Sequence, residues 1–390
     1  MKELCNEFVF WDERGVIFEV KAAKGKLLEI SIGADGKGSM KEVSVVDDTN
    51  LELPSISAGE YAEVLSMYTD KDGNKAVVPQ GWTVSGVASE NVIWGKDIGL
   101  VIYYIPKEKV SGIDWKNKSK VNGLMKTYDQ LVWIPINMLS DTSTLDGIHF
   151  NEKFGRMNYR NEEFSESEYN EPLVGELLGT KKSIDTYGGC YITRYKVSKD
   201  KKTGEPRSIK GAYPWAEIDF QTAKNVAATM SKSENLISHL TYGAEYDTRI
   251  KWTIETGTVT RRDIAEDSTR LGNYHNNKEY PNKIVKTGED GCINMIYGLT
   301  GNMDEWTQES KNSHRVIRGG FYYNAGFDFP AACRNQLDPK DCYYVTGFRA
   351  TFILKVAIWH CKSDLILSYP STDRGGELWD FRVPPSFLYS

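Results

Sequence analysis

The chain has 390 residues, 40% hydrophobic and 26% charged, which is the balance of a soluble globular protein and long enough for two domains. A net charge of −6 argues against the dominant basic patch that a nucleic-acid partner requires. No stretch approaches the roughly 18 apolar residues of a membrane span. The opening MKELCNEFVFWDERG lacks the basic-then-apolar order of a signal peptide, and no apolar run precedes Cys5 as in a lipid anchor. The expectation is synthesis in the cytoplasm, with virion association left open.

Residues 1 to about 60 carry short alternating runs such as Val16-Ile-Phe-Glu-Val20 and Leu27-Leu-Glu-Ile-Ser-Ile32, broken by Gly and Asp clusters. That pattern predicts strands. A short helix is expected over 58–69, a turn at Asp70-Lys-Asp-Gly-Asn74, and strand-like segments at 75–79, 81–85 and 99–105. Together, 1–120 reads as a small β-rich N-terminal domain for attachment or presentation. Leu131-Val-Trp-Ile-Pro135 opens a second domain with a short strand ended by proline. Residues 140–182 are polar and read as a surface excursion with a few helical turns. Tyr187 to Val197 reads as a strand. Ile218 to Met230 places Ala223, Val226, Ala227 and Met230 at helical spacing. A second helical stretch falls within 233–256, entered at Tyr242-Gly-Ala-Glu-Tyr246, with Tyr246, Ile250 and Ile254 on one face. From 262 to 294 the chain reads as loop. Helices embedded in a mostly irregular β-domain give an α+β class.

The six cysteines are scattered without a CxxC pair, and the five histidines have no metal-ligand spacing. Zinc is therefore not expected. The cysteines read as free thiols of a reducing compartment, with a Cys333–Cys342 pairing left open.

The most informative segment is Arg315-Val-Ile-Arg-Gly-Gly320, followed 26 residues later by Gly347-Phe-Arg349. Between them, seven of 26 residues are Phe or Tyr, against 12% aromatic overall. Aliphatic alternation is nearly absent, so the rings do not read as a core strand. Rigid rings mixed with Asn, Asp and Gly instead suit a displayed contact surface, because they give area at low entropy cost.

Six motifs in order resemble those of the formylglycine-generating-enzyme-type (sulfatase-modifying factor) domain, a variant of the C-type lectin fold. They are Leu131-Val-Trp-Ile-Pro135; Gly189-Cys-Tyr-Ile-Thr-Arg-Tyr-Lys-Val197; Tyr213-Pro-Trp215 with the helix to Met230; His239-Leu-Thr-Tyr-Gly-Ala-Glu-Tyr-Asp247; Gly301-Asn-Met-Asp-Glu-Trp-Thr307; and the Arg315 box with Arg334 and Gly347-Phe-Arg349. The resemblance covers about 125–355 and implies a lectin-type domain there, with 356–390 a peripheral C-terminal extension.

Two departures bear on function. Active members carry two copper-binding cysteines shortly after the glycine pair, and here Asn324 and Phe329 stand at the corresponding positions. Neither forms the thiolate that soft-metal chemistry needs. No catalytic residue or copper cofactor is therefore expected. The family's calcium loop has Gly298 where a side-chain oxygen is usual, although Gly301, Met303 and Glu305 could still hold a structural calcium.

Within the family, 320–349 is most similar to the variable region of target proteins of diversity-generating retroelements, such as phage tropism determinants. Their diversity comes from adenine substitution in AAC codons. Only Gln336 and Lys340 within 321–346 fall outside the set so reachable. The resemblance implies a non-catalytic, retroelement-diversified receptor-binding protein whose partner is a protein or glycan on another cell or particle. Contact residues are expected at Phe321, Tyr322, Tyr323, Asn324, Phe327, Asp328, Phe329, Asp338, Asp341, Tyr343 and Tyr344. Arg318, Arg334 and Arg349 are expected to be buried scaffold, with Glu305 a natural partner for one of them. The alternatives are an oxidoreductase of the formylglycine-generating type with altered chemistry, and a structural phage-particle component.

Overall fold

Six antiparallel strands form the central sheet, and every residue of its four inner strands is buried. A computed structural model describes residues 53–141, 153–160, 168–171 and 176–356, together with the backbone of six further strands. The chain divides into two units. One is Leu53–Val356; the other comprises Met1–Glu52 and Ala357–Ser390. In the second unit the strands Leu4–Trp11 and Ile17–Ala23 pair as one antiparallel hairpin, and Lys26–Ile32 and Gly38–Ser44 as another. The extension expected at 356–390 lies, beyond Val356, outside the described residues.

In the Leu53–Val356 unit the central sheet runs in the order Leu236–Leu240, Ala350–Leu354, Cys190–Thr193, Gln130–Ile134, Val101–Tyr103, Thr83–Val84. Strand geometry sends successive side chains to opposite faces. Leu131 and Trp133 therefore join one apolar cluster with Tyr191, Phe352 and Leu354, while Val132 and Ile134 join another with Ile192 and Ile353. A sheet with core on both faces needs no apolar–polar alternation, which is why these strands read as continuous apolar runs.

A second sheet carries Tyr169–Asn170, Asp304–Lys311, His314–Arg318 and Asn335–Leu337 in that order. Thr346–Phe348 adds to Asp304–Lys311 in parallel, with Phe348 opposite Trp306. The hairpin between its long strands turns at Asn312-Ser313, and Asn312 adopts φ +54°. Asparagine tolerates that left-handed conformation better than most residues.

Helix ends are set by named caps. Asn117 accepts from the amides of Ser119 and Lys120 at the start of Lys118–Thr127. Asp219 accepts from the Thr222 amide at the start of Phe220–Ala228. At Gly243–Glu255 the cap is shared: Glu245 Oε2 accepts the Tyr242 amide at 2.9 Å, and the distant Glu171 takes the amide of Ala244 at 2.8 Å and that of Gly243 as well. Burial and the neighbouring Glu309 push the Glu171 carboxyl up to about 8, opposed by the Ala244 and Gly243 amides and Arg156. The first twelve residues of this helix are buried on all sides, charged ones included. It is an internal strut, and it lies where the entry at Tyr242 was predicted.

Three expectations are corrected. The helix expected over 58–69 is absent; Ser66–Thr69 is a strand between Ser55–Ile56 and Lys75–Val78. Tyr68 and Ala76 are buried there, and β-pairing outweighs the local helical spacing. The domain boundary expected at 120–125 falls inside one unit, because Val101–Tyr103 pairs with Gln130–Ile134 and Thr83–Val84 extends the same sheet. The Gly347-Phe-Arg349 strand, expected near the Leu131 strand because that brings the ends of a 125–355 domain together, does not lie beside it. Gly347 and Phe348 belong to the second sheet, and the following Ala350–Leu354 is separated from Gln130–Ile134 by Cys190–Thr193.

Candidate functional site

Beneath 321–346 lies a buried scaffold of ion pairs. Arg318 and Arg334 both reach Asp247, Arg318 at 2.7 Å, and Arg334 also bonds Glu309 at 3.0 Å. A second cluster centres on Glu305, whose carboxylate takes Lys196 and Arg349 at 2.6 Å each and Arg249 at 3.2 Å. Arg349 further donates to the carbonyls of Thr193 and Gly298 at 3.0 Å and to that of Tyr297. Burial alone would raise the Glu305 pKa, but Lys196, Arg349 and Arg249 hold it well below the carboxylate range. The three arginines read as scaffold from the sequence are therefore buried forks with carboxylate partners.

The calcium reading at Gly301, Met303 and Glu305 does not fit this arrangement. Three cationic side chains already occupy the Glu305 carboxylate, so a hard dication would meet net positive charge. The Gly301 carbonyl accepts the Met303 amide at 2.7 Å. Copper is no better served. Asn324 Oδ1 accepts the Phe321 amide at 3.0 Å, and Phe329 offers no ligand atom. Among the described residues no group of three His, Cys, Asp or Glu side chains is placed to hold a metal. Cys342 carries a free thiol, so it is not bridged to Cys333.

Over the scaffold, the backbone of 321–346 is pinned at many points. Tyr274 Oη lies 2.8 Å from the Gly319 carbonyl and 2.9 Å from that of Phe329, which share its one proton. Tyr246 Oη donates to Ala331 O, Ser268 Oγ accepts the Ala331 amide, and Ile264 O accepts the Ala332 amide. The Asn324 carbonyl takes the His275 amide, and Gly326 O takes the Ser268 amide. The Phe220 amide bonds Pro339 O, and the Glu217 amide bonds Tyr343 O. Gly326 has no room for a side chain, since a Cβ there would lie 2.2 Å from the Thr269 nitrogen.

The side chains point the other way. None of the eleven predicted contact residues is buried. Tyr323 is 72% exposed, Phe327 55%, Tyr344 54% and Tyr343 47%. Large apolar side chains this open are scarce elsewhere among the described residues: only Val64, Leu178 and Tyr213 join them. Tyr322 and Tyr344 hydrogen-bond through their side chains, which brings the two ends of the segment together. Phe321, Tyr322 and Tyr323 follow as edge-to-face neighbours at 6.1 and 6.3 Å. The result is one continuous tyrosine cluster. Asp328 and Asp338 are exposed, and neither they nor Asp341 forms an ion pair among the described residues.

Two contributions were not foreseen. Asn324 spends its side-chain oxygen on the loop's own Phe321 amide, so only its amide nitrogen is left for a ligand. Tyr213, read only as part of a motif, is 56% exposed with Lys286 Nζ 5.6 Å from its ring centre. A Tyr-Pro pair in a loop was the available signal.

No protein-family model matches the chain, and no curated protein matches it by sequence. Solved structures similar to it include PvdO from Pseudomonas aeruginosa, at 15% identity and a TM-score of 0.36 over 58% of this chain and 95% of that one. Treponema denticola variable protein 1 is similar at 14% identity and a TM-score of 0.32, over 42% and 84%. CarF is similar at 14% identity and a TM-score of 0.28, over 42% and 76%. Among the described residues no helix is long and apolar enough to cross a membrane.

Proposed function

We propose that this chain is a non-catalytic ligand-binding protein that displays a diversified aromatic surface on a C-type lectin-type scaffold of the formylglycine-generating-enzyme kind. The observation that carries the reading is the division of labour within 321–346. Its backbone is bonded to a buried scaffold, while Tyr323, Phe327, Tyr343 and Tyr344 stand open to solvent. Exposed rings held on a rigid frame bind with little entropy loss, and Tyr is the residue type that dominates such contacts. The partner is a protein or glycan on another cell or particle. Asp328, Asp338 and Asp341 supply directional acceptors around the rings.

Probing protein and glycan arrays with the full chain tests this. The reading expects a discrete set of bound partners whose signal is lost on simultaneous Tyr323→Ala, Phe327→Ala, Tyr343→Ala and Tyr344→Ala substitution. An unchanged signal would transfer the function elsewhere. Copper-dependent turnover of a cysteine-containing peptide would restore the oxidoreductase alternative. The coding DNA offers a further check: a near-copy of the segment for 320–349, mismatched at adenines, beside a reverse transcriptase gene.

A further inference from the structure

A cavity lies where Pro339-Lys340 of the 321–346 segment meets the Phe220–Ala228 helix, and its lining differs in kind from the tyrosine cluster. It has a volume of about 490 Å³ and sits between the start of the Phe220–Ala228 helix, the 310–315 hairpin and Pro339-Lys340. That volume suits a sugar-sized ligand. No tyrosine lines it. Ser310, Asn312, Ser313 and Gln221 contribute hydroxyls and amides, and Arg315, His314 and Lys340 contribute basic groups.

Arg315 is the central observation. Most described arginines reach a carboxylate within 4 Å, including Arg156, Arg194, Arg207, Arg318, Arg334 and Arg349. Among the described residues Arg315 reaches none. Its Nη1 donates to the Gln308 carbonyl at 3.0 Å, and its guanidinium stacks 4.3 Å from the centre of the Phe220 ring. Those two contacts fix the plane of the fork. They leave Nε and Nη2 without an acceptor among the described residues. The one acid in the lining, Asp219, does not fill the gap, because its carboxylate takes the Thr222 amide at 2.9 Å and the Thr222 hydroxyl at 2.6 Å. Burial lowers the Arg315 pKa, which an arriving anion would reverse.

We infer that this cavity binds an acidic sugar, with Arg315 taking its carboxylate or sulfate group and the Ser, Asn and Gln side chains taking its hydroxyls. A planar fork with two free donors matches the two oxygens of such a group. Lys340 adds a second positive charge at the rim. Both sources of the oxyanion share this chemistry, and the test separates them. The site shares no lining residue with the aromatic cluster.

The full chain would be titrated by calorimetry with methyl β-D-glucuronide, N-acetylglucosamine 6-sulfate, methyl β-D-glucoside and sodium acetate. One or both acidic sugars are expected to bind at least tenfold more tightly than the glucoside and than acetate, and the better of the two names the source. Arg315→Gln should weaken that binding tenfold or more, with Arg315→Lys intermediate. Should Arg315→Gln fail to fold, the exposed Lys340→Gln decides, with a severalfold loss expected. The four-ring alanine variant should bind the acidic sugar as the parent does, so failure of this site and failure of the aromatic reading are read separately. Equal binding of glucoside, acetate binding as tightly as either sugar, no binding at all, or acidic-sugar affinity unchanged in both variants would each overturn the assignment.

Discussion

Asp304 stands next to Glu305 in sequence but in an opposite electrostatic state. Burial pushes the Asp304 carboxyl up to about 7, opposed by the Lys196 charge and the Gly320 amide. Glu305 captures the neighbouring cations, so Asp304 receives too little positive charge to stay ionised. Asp290 is pushed up to about 6 by burial as well, against Lys196 and Arg349. The sign of the linkage follows. A carboxyl whose folded pKa lies above its unfolded value holds its proton better when folded, so stability falls as pH rises from about 4 through 7. For Asp304 the displacement from 3.8 to about 7 sets an upper bound of about 4 kcal/mol, at about 1.4 kcal/mol per pH unit. Asp304→Asn should therefore melt higher than the parent at pH 8 and show a flatter profile between pH 4 and 8. A variant less stable than the parent at pH 8 would mean that Asp304 works as an anion. Glu305→Gln should do the reverse at neutral pH. It strands Lys196, Arg249 and Arg349 without their anion, and breaking a buried pair costs about 3–5 kcal/mol. Chemical denaturation of the variant reads that loss directly.

At the scale of elements, the segment 321–346 behaves as a strap whose stability resides in its backbone. Tyr323, Phe327, Tyr343 and Tyr344 are exposed, and such positions typically shift stability by under about 0.5 kcal/mol. The four-fold alanine variant should melt close to the parent. Tyr322 should cost more than any of them, because it is partly covered and bonded to Tyr344. Trp306→Ala should cost about 3–5 kcal/mol, since Trp306 is fully buried, bonds Ile218 O at 2.9 Å and packs edge-on to Phe220 at 6.1 Å. A collapsed four-fold variant beside an intact Trp306→Ala would make the strap core. This contrast was legible in the sequence because rings set among Asn, Asp and Gly cannot alternate as a core strand does. The helix at Gly243–Glu255 was legible from its period and its entry at Tyr242. The second half of its cap was not, because Glu171 lies 72 residues from Gly243 and no local pattern announces a distant carboxylate. The Arg315 pocket was hidden for a related reason. Arg315 and Arg318 sit in one box, and only the fold shows that one finds a carboxylate and the other does not.

Across the whole molecule, the unit boundary at Leu53 makes a prediction that a boundary near 120 would not. The segment 53–120 supplies the edge strand Thr83–Val84 and its neighbour Val101–Tyr103, and it places Trp82, Ile93, Leu100 and Ile102 in the apolar cluster that also holds Trp133, Trp306 and Phe348. It also supplies Glu90, which bonds Arg194 at 2.8 Å and accepts from Tyr103 Oη at 2.7 Å. Removing it would uncover the Gln130–Ile134 strand along an unpaired edge and leave Arg194 buried without its acid, two costs that compound. A fragment of residues 53–356 should therefore be soluble, melt cooperatively and keep the acidic-sugar and array binding of the full chain. A fragment of 125–355, the span of the sequence resemblance, should aggregate or show no cooperative transition. Scanning calorimetry on both decides between the boundaries: a cooperative melt from 125–355 would make 53–120 dispensable, and failure of 53–356 would mean that the unit needs Met1–Glu52 or Ala357–Ser390 to fold.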